Sequence, residues 1–124
     1  MKRIYVFFLL ASTMFFISFA DDGSTAAINL QHQGHDDHGQ YYPPADMPEA
    51  YFDSDEMEII IEADGFADYY IVEVVSMVSS LTVIYTQIDG YGDTIDVSSL
   101  PIGYYQIIIT SEFNNVYEGY FLIE

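Results

Sequence analysis

The chain has 124 residues, of which 20 are acidic and only two, Lys2 and Arg3, are basic, for a formal charge of −18. At 51% hydrophobic and 17% aromatic it is too apolar for disorder throughout, and its length allows one domain of modest size. Cysteine is absent, which excludes disulfide frameworks, thiolate metal sites and thiol nucleophiles. The acidity argues against nucleic acid and anionic membrane as partners, since both need a basic surface.

Residues 1–20 have the three parts of a secretory signal peptide. Met1-Lys2-Arg3 is the positive end, residues 4–19 are almost wholly apolar, and Ser18-Phe19-Ala20 places small residues at −3 and −1 of a cleavage site. A spanning helix wants about 20 apolar residues, so cleavage is expected rather than a retained anchor. No Cys follows, which closes the lipoprotein route. The expected destination is secreted or periplasmic. Cleavage removes both bases, leaving 20 carboxylates and no Lys or Arg.

Residues 21–48 hold three Gly, three Pro and the three His, with no apolar periodicity. This composition predicts a flexible acidic, His-containing linker. Within it, His32, His35 and His38 flank Asp36 and Asp37, a spacing that can wrap Zn²⁺, Cu²⁺ or Ni²⁺. A solvated linker accounts for the same three His without any metal.

From residue 49 to 124 short β-branched and aromatic runs alternate with turn signals, which predicts a sheet domain. Strands are expected over residues 57–63, 68–76, 81–88, 94–97, 104–111 and 116–123, with a further edge strand over 50–53. Asp64-Gly65, Asp89-Gly90 and Asn114-Asn115 mark turns. Six or seven short strands with this spacing fit a single antiparallel sandwich. Alternation puts Met57, Ile59, Ile61, Val72, Val74, Tyr105, Ile107, Ile109, Tyr117, Phe121 and Ile123 inside, with Ile95, Val97 and Leu100. Residues 69–88 are apolar enough to suggest a membrane span, but Glu73 sits within them and no Lys or Arg flanks them. No span is expected after signal cleavage.

Two loops are rich in carboxylates. Asp89, Asp93 and Asp96 lie in one, and Asp53, Asp55 and Glu56 in the other. Ca²⁺ uses several such oxygens, yet neither stretch has the spacing of a regular calcium loop, and Asp-Gly is ordinary hairpin chemistry. No cofactor is expected, with Ca²⁺ or Zn²⁺ the ions to test. Residues 49–124 contain no His, Cys, Lys or Arg, so Ser98 and Ser99 have no base to activate them and no enzyme is expected. The remaining feature is apolar excess on outward positions. Ile60, Tyr69, Ile71, Ile84, Tyr104, Ile108, Tyr120 and Leu122 fall opposite the inward set, where small sandwiches are usually polar.

The stretch Ile95-Asp96-Val97-Ser98-Ser99-Leu100-Pro101-Ile102-Gly103-Tyr104-Tyr105-Gln106-Ile107 resembles the turn entering a late strand of bacterial immunoglobulin-like domains. Leu100 would plug the end of the sandwich and Tyr105 would bond back to nearby backbone as a tyrosine corner does. With the final strand Tyr117-Glu118-Gly119-Tyr120-Phe121-Leu122-Ile123, residues 49–124 are similar to small secreted or periplasmic immunoglobulin-like β-sandwich proteins of unknown function from Bacteroides-like bacteria. C-terminal sorting domains share a similar turn, but those end large cargo proteins and usually finish with basic residues. The resemblance implies a fold and no activity.

The sequence therefore predicts an exported, non-catalytic β-sandwich that binds or assembles at the cell envelope. Its partner would be an extracellular or periplasmic protein or glycan, or a second copy by self-association. Two alternatives stay open: an acidic cation-binding module, and a carbohydrate-binding surface built from Tyr residues.

Overall fold

The computed structural model describes residues 24–33 and 44–124, and the regular elements there are all strands. In chain order they are β1 (Thr25–Ile28), β2 (Gln31–His32), β3 (Glu49–Asp53), β4 (Glu58–Glu62), β5 (Tyr69–Ser76), β6 (Thr82–Asp89), β7 (Gly92–Asp96), β8 (Gly103–Ser111) and β9 (Val116–Ile123). They form a four-stranded sheet, β1-β3-β4-β7, and a five-stranded sheet, β2-β9-β8-β5-β6, antiparallel throughout. Among the described residues no helix is long and apolar enough to cross a membrane. Residues 69–88 are the β5–β6 hairpin.

The sheets share one core. Ile59, Ile61 and Ile95 come from the smaller sheet and Val72, Val74, Ile107, Ile109, Tyr117 and Phe121 from the larger. Phe52 and Phe121 meet across the sandwich with ring centroids 5.4 Å apart. Strand alternation accounts for this directly, because every second side chain points at the facing sheet. Leu100 packs against the end of the core, and the Tyr105 hydroxyl donates to the Pro101 carbonyl at 2.6 Å.

Three expectations need correction. First, the linker expected over residues 21–48 contributes two strands and part of the core. β1 pairs with β3 and β2 with β9, and Ile28, Leu30 and Asp46 are buried. Chain crossing makes this possible. Between β1 and β2 the backbone passes over Gly119, where an added Cβ would lie 2.7 Å from Ile28 Cγ2 and 3.0 Å from the Asn29 carbonyl. Second, β3 is not an edge strand, since β1 lies beside it. Third, Ile84 faces inward. It pairs with Val74 and packs on the core, while the outward positions of β6 are Tyr85 and Gln87. Residues 1–20, His35 and His38 lie outside the described residues.

Candidate interaction surface

The outer face of the four-stranded sheet is acidic. Cross-strand register sets Asp53 opposite Glu58 and Glu58 opposite Asp96, a row of three carboxylates over three strands, with Glu49 opposite Glu62 in another row. Directly opposed like charges are destabilising. Tyr51, Ile60 and Thr94 fill the row between, and the Tyr51 hydroxyl donates to Glu49 at 2.8 Å. That hydrogen bond, with burial and the Glu49 and Glu62 charges, raises the Tyr51 pKa.

The outer face of the five-stranded sheet has a different chemistry. Tyr104 pairs with Leu122, Gln106 with Tyr120 and Val75, Ile108 with Glu118 and Glu73, and Thr110 with Ile71. Tyr69 continues the face at the end of β5, and Tyr85 extends it onto β6 opposite Glu73. Of the expected set, Tyr69, Ile71, Tyr104, Ile108, Tyr120 and Leu122 therefore share one face, from which Ile84, packed on the core, and Ile60, on the other sheet, are excluded. Tyr85 and Tyr104, 65% and 59% exposed, stand furthest into solvent. Gln106 donates to Glu118 at 3.2 Å and to the Tyr120 hydroxyl at 3.4 Å, which orients part of the face.

One end of this sheet is more apolar still. Met77, Val78 and Leu81 at the β5–β6 hairpin and Ile102 beside Tyr104 are all exposed, and the Met77 N–H donates to the Tyr104 carbonyl at 3.0 Å. Single exposed apolar residues are ordinary, whereas a contiguous group rimmed by polar residues marks contact surfaces. Sequence alternation missed this end because its residues sit in turns, where no period applies.

Among the described residues the expected carboxylate ligands are not assembled, and His35 and His38 lie outside those residues. Asp93 and Asp96 stand three positions apart on β7, so their side chains leave opposite faces, and Asp89 belongs to the other sheet. Each serves its own turn: Asp89 accepts from the Tyr91 N–H at 2.8 Å, Asp93 from Thr94 at 2.8 Å and Asp96 from Ser98 at 2.9 Å. The Ser98 N–H and hydroxyl hold the Asp96 carboxyl below its ordinary pKa. Asp53 likewise accepts from the Asp55 and Glu56 N–H groups. His32 lies over Tyr117, ring centroids 5.3 Å apart, with its Nε2 3.3 Å from Asn115 Oδ1. Among the described residues no three His, Asp or Glu side chains are grouped to hold a metal ion.

A buried polar node was also missed by the sequence reading. Asp46 is 2% exposed. Its carboxylate accepts from the Tyr117 hydroxyl and from Asn115 Nδ2 at 3.1 and 3.2 Å, and its carbonyl accepts from the Tyr70 hydroxyl at 2.7 Å. Burial alone would raise the Asp46 pKa, but hydrogen bonds from Ser111, Tyr117, Asn115 and its own backbone outweigh it and hold the group below the ordinary value. Burial, then the charges of Asp46 and Asp64, pushes Tyr70 up to about 12. The node pins residues 44–47 to the β8–β9 hairpin.

No protein-family model and no curated protein matches the chain. Among solved structures, a DUF3244 family protein from Bacteroides vulgatus with an immunoglobulin-like β-sandwich superposes with a TM-score of 0.63 at 18% identity, covering 81% of this chain and 99% of that one. The chain is an immunoglobulin-like β-sandwich. At that identity the likeness speaks to fold alone, and the neighbour is of the class that the residue 95–107 turn resembles.

Proposed function

We propose that the chain is an exported, non-catalytic binding or assembly module of the cell envelope, docking through the outer face and hairpin end of its five-stranded sheet. The observation that carries this reading is the division of surface chemistry. Opposed carboxylates occupy the outer face of one sheet, while exposed Tyr, Ile, Leu and Met side chains gather on the other. In a chain whose charges beyond residue 3 are all of one sign, the face on which Glu73 and Glu118 stand among Tyr, Ile and Leu side chains, without the row of opposed carboxylates, is where a partner can approach closely at the lower desolvation cost. Tyrosines supply contact area at low entropic cost and a polar tip for hydrogen bonds.

The test is photo-crosslinking in cells that export the chain, with a benzophenone amino acid placed at Tyr85 or Tyr104 and, for comparison, at Thr94 on the acidic face. A discrete adduct from Tyr85 and Tyr104 and none from Thr94 is the expected outcome. Adducts from Thr94 alone, or retention of the chain in the cytoplasm, would overturn the reading.

A further inference from the structure

β6 is an outermost strand of its sheet, and among the described residues it pairs with β5 alone. The ladder shows which of its peptide groups face outward. The Gly90 N–H donates to the Asp68 carbonyl at 3.0 Å, one step beyond the Tyr69–Asp89 pair. Hydrogen-bonded pairs alternate along an antiparallel ladder, so Ile88, Thr86 and Ile84 exchange bonds with Tyr70, Val72 and Val74. The peptide groups of Tyr85 and Gln87 therefore point away from β5. The register shift opposite Val74 and Val75 falls at Val83, which leaves residues 84–88 a regular stretch of strand paired on one side.

Native sheets guard such edges with short strands, proline, charge or inward-pointing charged residues. β7, joined to β6 by the turn at Gly90, is guarded in this way. It has five residues, ends on Asp96, and holds Asp93 exposed at a core-facing position opposite buried Ile61. β6 carries neither charge nor proline from residue 82 to residue 88. Beyond Asp22 the longest carboxylate-free stretches of the chain are residues 74–88 and 97–111. The second contains β8, enclosed between β5 and β9, whereas the first contains the edge strand β6. This margin lies across the sandwich from β1 and β2, beside which the described residues break off at Ser24 and Gln33.

Charge and register select the occupant. Beyond Arg3 the chain has no Lys or Arg, so two copies can meet closely only where neither presents a carboxylate to the other. A twofold axis at Thr86 meets that condition. It sets Thr86 opposite the partner's Thr86, Tyr85 opposite the partner's Gln87, Ile84 opposite the partner's Ile88 and Asp89 opposite the partner's Val83. The outward peptide groups of Tyr85 and Gln87 then fall in hydrogen-bonding register with each other across the axis. We infer that β6 pairs antiparallel with β6 of a second copy of the chain, joining two five-stranded sheets into one continuous sheet. The inference goes beyond the docking face proposed above, because pairing uses the backbone of β6 and leaves Tyr104, Tyr120 and Leu122 open.

The test is sedimentation of the chain from micromolar concentrations to about 1 mM at about 0.15 M NaCl, with hydrogen exchange followed residue by residue. The apparent mass should double with concentration, and exchange at the Tyr85 and Gln87 amides should slow by about tenfold or more as it does. Added salt should tighten the association, since two acidic copies repel. Gln87→Pro removes an outward N–H and no bond to β5, and it should leave the chain folded and monomeric. Thr86→Cys, in a chain with no other Cys, should give a disulfide-linked dimer on mild oxidation, because opposed residues of a non-hydrogen-bonded pair lie within disulfide reach. Tyr104→Cys should not. Tyr104→Ser should leave the dimer intact, which separates this edge from the docking face. A chain that stays monomeric to about 1 mM would overturn the proposal. So would a dimer whose Tyr85 and Gln87 amides exchange as in the monomer, or one lost in Tyr104→Ser, which would assign association to the face. If Gln87→Pro does not fold, exchange at Tyr85 and Gln87 in the unaltered chain decides alone.

Discussion

The Tyr117 hydroxyl donates to the carboxylate of Asp46, joining the last strand to a residue 71 positions earlier. Both groups are buried, and Asn115 and Ser111 complete the shell of donors around the carboxylate. A loop that composition alone would leave flexible is thereby fixed to the β8–β9 hairpin.

Because the folded state holds Asp46 below its unfolded pKa, its contribution to stability is present above about pH 4 and is lost as pH falls through the folded value. Asp46→Asn should cost about 1–3 kcal/mol at neutral pH. Denaturant melts of the two proteins from pH 7 to pH 2.5 should show that gap narrowing below pH 4. A gap of constant size would contradict the assignment.

Gly119 lies beneath the crossing from β1 to β2, where an added Cβ would stand 2.7 Å from Ile28 Cγ2, 3.0 Å from the Asn29 carbonyl and 3.1 Å from Leu30 Cδ2. Gly119→Ala should destabilise the chain by about 1–3 kcal/mol. Hydrogen exchange at Gln31 and Gln33 should accelerate more than exchange in β5, which lies away from the crossing.

The Tyr105 hydroxyl closes a loop on the Pro101 carbonyl, four residues upstream. Tyr105→Phe keeps the ring against Phe121, whose centroid is 5.5 Å away, and removes only the hydrogen bond. The expected loss is about 1 kcal/mol in chemical denaturation.

Much of this arrangement was legible in the sequence. Val116–Ile123 is a strand with the expected bounds, and Ile107, Ile109, Tyr117 and Phe121 are inside as alternation requires. What escaped has physical causes. β1 and β2 span four and two residues, too few for a period to show, and they are strands because Phe52 and Glu118 lie beside them. Residues 83–85 of β6 are apolar at every position, so alternation could not orient Ile84. Its pairing with Val74, next to a register shift, decides that. The Asp residues of β7 looked like ligands in one dimension and are split between faces by the pleat. Six of the eight expected outward residues do share a surface, while Ile60 lies on the other sheet and Ile84 packs on the core.

Cross-strand repulsion offers a stabilising substitution. Glu58 stands between Asp53 and Asp96, and Glu58→Lys would turn two like-charge pairs into opposite-charge pairs, a gain of about 0.5–1 kcal/mol. The gain should shrink as salt screens it. Melting curves of the two proteins at low and high salt check both statements.

The central physical claim is that apolar burial and backbone ladders hold this sandwich together against charges of a single sign. Thermal melting of the chain as a function of NaCl tests it most directly. Screening should raise the melting temperature between about 0.01 and 0.15 M NaCl, since repulsion weakens and the chain beyond Arg3 has no Lys or Arg ion pairs to lose. A melting temperature that falls over that range would contradict the claim.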